Sequence, residues 1–384
     1  MGETDVYVFG LRGIPNVQGG VEKHCEELYP RLAGMGVNVT VFTRRPHVPP
    51  GPAVTQWNRV RLRNLWSPRQ PGFEAFVHSL LAAVCCVVQR PSLVHVHNMG
   101  PGLMIPLLRA FQLRVVLTYH SIDYQHSKWG IFARALLRLG ECLSVRFADQ
   151  VIVLSGNTKD YLAERSSRQD TAVVPNGIGV ADMVAPGKTL LRYGLVRNGY
   201  IFTAARITPE KGLHDLVKAY QSLDNPGCKL VIAGDADHPT PYSDSLKHAA
   251  SRVPGIVLTG YIHGRPLAEL FSNAALFVLP SHSEGLPIAL LEALGYGLSA
   301  LASDIPANRE VGLGEDRYFP AGDPQALAAK LECWMRKGPL PQEERRQQIG
   351  AVRRRYNWDS VAEQVLEVYC HALGMAPPAP RESV

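Results

Sequence analysis

Short apolar runs recur along the chain, each closed by glycine, proline or a polar turn and followed by apolar residues at helical spacing. Residues 5–9 (DVYVF), 37–42 (VNVTVF), 93–97 (LVHVH), 114–119 (RVVLTY), 150–154 (QVIVL) and 171–174 (TAVV) read as buried strands. Among the helices, Val21, Cys25, Leu28 and Leu32 share one face, 76–88 reads as a core helix and 132–147 as an amphipathic one. Ser155 stands as an N-cap before a further helix. About half a dozen strands alternating with helices predict an α/β, doubly wound parallel sheet. The turn PNGIG at 175–179 leads into a linker, and the alternation restarts near Tyr200.

In this second series, strands are expected at 200–204, 229–233, 256–259, 274–279 and 298–303, with helices at 213–223, 266–273 and 341–373. The expected division is a first domain over 1–180, a second over 186–355, a helix over 356–373 crossing back to the first, and a disordered tail over 374–384. Two Rossmann-like parallel-sheet domains would face each other across a cleft, a frequent ligand site.

The most informative stretch is 279–297, LPSHSEGLPIALLEALGYG. A buried strand ends at Pro280, a polar loop follows, and Ile288, Leu291 and Leu294 open a helix that Pro287 can precede. Glu284 then lies in the strand-to-helix loop and Glu292 one to two turns down the helix. Amides at a helix start favour an anion, and two carboxylates beside them can hold hydroxyls. Alone, either glutamate reads equally as a cap or a solvated helix residue.

Charge and cysteine usage narrow the class. The net charge is +6, but between Leu28 and Ile122 the only acid is Glu74, against ten arginines. Such a region can face phosphates of nucleic acid or of a membrane surface, and no aromatic-stacking or groove-reading motif accompanies it, which disfavours nucleic acid. Seven scattered cysteines without a CxxC pair fit reduced thiols in the cytoplasm rather than disulfides or zinc. No basic-then-apolar leader precedes the first strand, and 76–88 is too short to span a bilayer, so membrane contact would be peripheral.

Further candidates sit in loops after predicted strands. Gly19 and Gly20 lie between a strand and a helix, a layout that lets amides approach phosphate, although glycines also serve plain turns. Arg206 and Lys211 share one loop, where a bidentate guanidinium and a point charge suit a diphosphate. His120 follows a strand end; a loop histidine bonded locally is the bland alternative. His95 and His97 share a strand face, but no third ligand stands at a convincing spacing.

These residues together resemble the retaining glycosyltransferases of family GT4, which have the GT-B fold. The resemblance rests on Gly19-Gly20, His120, the stretch from Arg206 to Lys211 ending in EKG, Ala233-Gly234-Asp235 and, above all, Glu284 seven residues before Glu292. GLRGIPNVQGGVEKHCEEL and TYHSIDYQHSKWG further resemble bacterial enzymes that build surface polysaccharides. After Asp304 the chain departs from the commoner pattern, with PANRE where a glycine-bearing turn before Glu310 is usual.

The resemblance implies that Arg206 and Lys211 neutralise the leaving diphosphate, while the Gly19 and Gly20 amides touch it from the other domain. Glu284, with the Gly285 amide, would hold sugar hydroxyls, Glu292 the ribose hydroxyls, His120 a sugar hydroxyl, and the backbone near Ile262 the base. It implies a nucleoside-diphosphate-sugar donor, most readily UDP-linked, a glycan or lipid-linked acceptor, same-face attack, and a cytoplasmic enzyme at the inner membrane face. No cofactor or essential metal is expected, since Asp235-Ala236-Asp237 ends a turn instead of forming the metal-binding triplet of other glycosyltransferases. Competing readings are a nucleotide-sugar epimerase of the same fold and an inactive, glycosyltransferase-like binding subunit.

Overall fold

Strands apolar on both faces require a sheet covered by helices on both sides. The computed structural model describes residues 4–47, 54–70, 73–121, 131–166, 168–224 and 227–376, and it contains two such sheets. The chain divides into two units at Asn176/Gly177 and at Asn357/Trp358.

The first unit holds β1 (Thr4–Phe9), β2 (Val37–Arg44), β3 (Gln56–Trp57), β4 (Val60–Leu65), β5 (Leu93–His97), β6 (Val115–Tyr119), β7 (Gln150–Val153) and β8 (Ala172–Val173). Their order is β3-β4-β2-β1-β5-β6-β7-β8, parallel except for the β3–β4 pair. The second unit holds β9 (Tyr200–Ala204), β10 (Lys229–Ala233), β11 (Ile256–Gly260), β12 (Leu276–Leu279), β13 (Ser299–Ser303) and β14 (Tyr318–Phe319). All pairs in its sheet are parallel, in the order β11-β10-β9-β12-β13-β14.

The expected parallel sheets are therefore present, with two strands beyond the half dozen read in the first half. β4 is the alternating run VRLRNL: Val60 and Leu62 are buried while Arg61 and Arg63 are exposed. The arginines interrupt the apolar run, so the strand shows only as a period of two. The reading of this arginine-rich region as one that can face phosphates narrows, because Arg44 is largely buried against Glu74 at 3.4 Å.

One face of the first sheet is closed by the helices Gly20–Gly34 and Trp358–Leu373. Trp358, Val361, Val365, Leu366 and Tyr369 share a buried cluster with Cys25, Leu28, Tyr29 and Leu32, so the last helix belongs to the first unit. Of the tail expected over 374–384, residues from 377 on lie outside the described residues.

The opposite face corrects an expectation. The stretch read as a core helix is the helix Phe73–Gln89, and only one side of it is buried, through Ala82, Ala83 and Cys86. Its exposed residues from 73 to 88 are Phe73, Phe76, Leu80, Leu81, Val84 and Val88, without one polar or charged group. Arg63 lies over the Phe42 ring at 5.8 Å, and Phe42 packs with that helix, so a basic strand flanks the apolar face. Mean hydropathy marks such a helix as apolar but does not say which half meets a partner. Among the described residues no helix is long and apolar enough to cross a membrane.

Candidate functional site

In a doubly wound sheet the crevice for ligands opens at the C-terminal strand ends, where the strand order reverses. In the second unit β10 and β11 extend to one side of β9, and β12 to β14 to the other, so the reversal lies between β9 and β12. The loops after these two strands carry Arg206 and Lys211, and Glu284, respectively.

The two loops are held together by backbone and side chains alike. Gly212 has φ 61°, and a Cβ there would overlap the Pro280 carbonyl. Glycine thus permits both the left-handed turn and the close approach. The His282 amide donates to the Glu210 carbonyl at 2.8 Å, and the His282 Nε2 meets Asp215 Oδ2 at 2.7 Å. From β13, the Ser303 hydroxyl bonds the Ser281 carbonyl. Asn308, in the stretch that departs from the commoner pattern, donates to the Ser303 carbonyl at 2.9 Å. A loop fixed from three sides presents its carboxylate with little freedom.

That carboxylate is Glu284. Lys211 Nζ lies 2.7 Å from Glu284 Oε1, and the Ser281 hydroxyl donates to the same oxygen at 2.7 Å. Arg206 sits in the same β9 loop but turns to Asp237, after β10, at 2.9 Å. Asp235 holds Lys247 at 2.6 Å, so both carboxylates of the acidic triplet face a cation. Glu292 is the fifth residue of the helix Ile288–Gly295 and is half-buried. Gly285 lies in the loop between Glu284 and that helix. Ile262 is half-buried in the loop after β11, at the edge of the sheet, three positions from β12. Lys211 and Glu284 are thus in contact, whereas Arg206 is paired elsewhere and Ile262 is set apart along the strand edge.

The first unit repeats the arrangement, its order reversing between β1 and β5. The loop after β1 ends at Gly19, which has φ 147° and where a Cβ would overlap the Glu22 carboxylate. Glu22 holds Arg12 at 3.0 Å, side chains 6% and 11% exposed, so the loop is pinned to the helix that Gly20 begins. Amides at that helix start lack intrahelical acceptors and carry the positive end of the dipole. His120 directly follows β6 and is buried. Residues 122–130 of the TYHSIDYQHSKWG stretch lie outside the described residues.

His95 and His97 face the same interior, as their alternation implied, and His24 and His120 join them there. His24 escapes the strand spacing because it comes from the helix Gly20–Gly34 rather than from the sheet. Ser281 and Asp215, which hold Glu284 and its loop, carry no local pattern that marks them, and the acidic triplet does not reveal that Asp237 pairs with Arg206.

Comparison with known proteins decides the family. The glycosyltransferase family 4 model matches residues 18–182, and the model for glycosyl transferases group 1 matches 196–355. The chain belongs to the family 4 type of glycosyltransferases. Among curated relatives, this glycosyltransferase is 26% identical to a glycogen synthase of Mycobacterium tuberculosis, over 96% of the chain and 95% of that protein. It is 27% identical to the phosphatidyl-myo-inositol mannosyltransferase of Mycobacterium leprae, over 92% of the chain and 93% of that protein. Among solved structures, HepE of Anabaena in complex with UDP and glucose superimposes with a TM-score of 0.76 at 16% identity, covering 95% and 99% of the two chains. The fold is GT-B: two parallel-sheet α/β domains.

Proposed function

We propose that this glycosyltransferase moves a hexose-type sugar, with retention of configuration, from a UDP-sugar to a glycan or lipid-linked acceptor in polysaccharide biosynthesis. The observation that carries the reading is the Lys211–Glu284 contact at the strand-order reversal of the second sheet. It supports the reading because a cation suited to a diphosphate and a carboxylate able to accept from sugar hydroxyls lie in one crevice. The complex of HepE with UDP and glucose supports a nucleotide-sugar donor.

Cleavage of the sugar–phosphate bond puts positive charge on the anomeric carbon and negative charge on the diphosphate. Lys211 and Arg206, once Arg206 leaves Asp237, stabilise the departing charge, and the Gly19 and Gly20 amides add to it. Glu284 and the Gly285 amide hold sugar hydroxyls, Glu292 the ribose, the backbone near Ile262 the base, and His120 a further sugar hydroxyl. The acceptor hydroxyl attacks the same face, and its proton passes to the phosphate oxygen that leaves the sugar.

No metal enters this scheme, and the pairing of Asp235 with Lys247 supports that. Of UDP-, GDP- and dTDP-sugars offered with acceptor glycans, a UDP-sugar is expected to release UDP, undiminished by EDTA. Activity lost in EDTA and restored by manganese would overturn the metal-free scheme. Conversion of the donor without net UDP release would indicate an epimerase instead.

The acceptor reading places the first unit at the inner face of an anionic membrane, supported by the apolar face from Phe73 to Val88 beside Arg61 and Arg63. Exposed apolar helix faces flanked by arginine bind bilayer interfaces. The chain is expected to sediment with vesicles containing phosphatidylglycerol, and Phe76→Ser with Val84→Ser to reduce that binding roughly tenfold or more. Equal sedimentation of wild type and double variant would remove this face as the contact.

A further inference from the structure

Four of the buried imidazoles of the first unit stand together, His24, His95, His97 and His120, the last being the most exposed of them at 7%. The proposed chemistry uses His120 alone. The other three are tied to it. His97 Nδ1 lies 2.8 Å from His120 Nε2, and the His97 Nε2 meets the Tyr29 hydroxyl. That hydroxyl also reaches His95 Nδ1 at 3.0 Å, where the Tyr369 hydroxyl stands at 2.7 Å. Thr118 Oγ1 completes the chain at 2.7 Å from His95 Nε2. His24 packs edge-on to His120, ring centroids 4.9 Å apart, with its Nδ1 2.9 Å from Asn176 Oδ1.

Nitrogens of His24, His97 and His120 lie within 4.8 Å of one another, which raises a metal site. The 2.8 Å between His97 and His120 argues otherwise. Two nitrogens at about 2.0–2.1 Å from a tetrahedral zinc stand roughly 3.3 Å apart. The observed spacing is that of a shared proton.

Burial holds these rings neutral. It lowers His24 to about 4 and His95 to about 3, and takes His97 and His120 well below the usual histidine value. A neutral imidazole has one N–H, so one partner of the pair donates and the other accepts. Each ring then presents the opposite role at its second nitrogen. When Tyr29 donates to His97 Nε2, His97 Nδ1–H donates to His120, and His120 Nδ1 carries a proton of its own. When Tyr29 accepts, the order reverses and His120 Nδ1 offers a lone pair.

We propose that His97 is a positioning residue, which fixes through its bond to His120 whether that ring offers a hydrogen-bond donor or an acceptor to the donor sugar. The proposal rests on the reading of His120 as a sugar contact. The sequence gives no hint of the coupling, since the two residues are on neighbouring strand ends.

The test is a double-mutant cycle with steady-state kinetics and UDP titration. His97→Phe is expected to lower kcat on the order of tens-fold through misplacement of His120. UDP affinity should stay within about twofold, because the change acts on the sugar and not on the nucleotide. His97→Asn, whose amide can stand in for the Nδ1 position, should recover most of the rate. In a His120→Ala background, His97→Phe should have no further effect. Normal kcat in His97→Phe beside a slow His120→Ala, or losses that simply add, would overturn the positioning role alone. Wild-type turnover in His120→Ala would instead remove the sugar contact on which the proposal rests. Imidazole 15N spectra of the unmodified protein give an answer that needs no variant to fold. One of the two facing nitrogens must show the protonated shift and the other the lone-pair shift, and two lone-pair shifts would overturn the proposal.

Discussion

Lys211→Ala is expected to abolish measurable transfer while leaving the protein folded. Removing a cation placed for developing negative charge costs on the order of 10²–10³-fold in kcat. The substitution leaves Glu284 with the Ser281 hydroxyl at 2.7 Å as its remaining bond, so the carboxylate is not stranded. Loss of one charge-assisted bond at a part-buried site amounts to about 1–2 kcal/mol, roughly 2–8 °C in Tm for a unit of this size. Circular dichroism and thermal melting separate the two quantities. Near-normal turnover with a folded Lys211→Ala protein would move the diphosphate away from this crevice.

Arg206 gives the second large effect, with an opposing partner. Its guanidinium sits 2.9 Å from Asp237, so gripping a diphosphate means leaving that carboxylate. Arg206→Lys is expected to lower kcat/KM by about 10–100-fold, because a point charge does not replace a bidentate fork. Asp237→Asn, which weakens the competing ion pair, should change kcat/KM in the other direction or leave it unaltered. The two variants measured against the same UDP-sugar decide the matter: equal losses in both would make the pair a structural unit instead of a poised ligand.

Much of this site was legible before any coordinates. Glu284, Arg206, Lys211, His120 and the Gly19-Gly20 loop could each be placed after a strand, because runs apolar on both faces identify parallel strands and glycine or proline closes them. The contact between Lys211 and Glu284 was not legible. It requires β9 and β12 to be neighbours although two strands intervene in sequence, and local pattern carries no information on strand order. The supports of the loop, Ser281, Asp215 and Asn308, are invisible for the same reason. β4 was lost because arginines on alternate positions break the apolar run that flags a strand. The helix Phe73–Gln89 was misjudged differently: hydropathy reports what a side chain prefers, and here half of an apolar helix stays outside the core.

The histidines show a third kind of limit. Alternation put His95 and His97 on one side of their strand, yet the partners that define them, Tyr29, Tyr369 and His120, arrive from other elements. Tyr369 comes from the helix Trp358–Leu373, which closes the unit after the whole second unit has intervened. The chemistry of a buried histidine is set by such partners far more than by its neighbours in sequence.

In the proposed function, the β9–β12 crevice binds the nucleotide of an activated sugar. That binding is tested most directly by thermal melting of the full chain with UDP, GDP, dTDP and their sugars, each at saturating concentration. Stabilisation by UDP and UDP-sugars, at least 2.7 kcal/mol at about 100 times Kd, is the result expected. A melting curve unmoved by every nucleotide and every nucleotide sugar would contradict it.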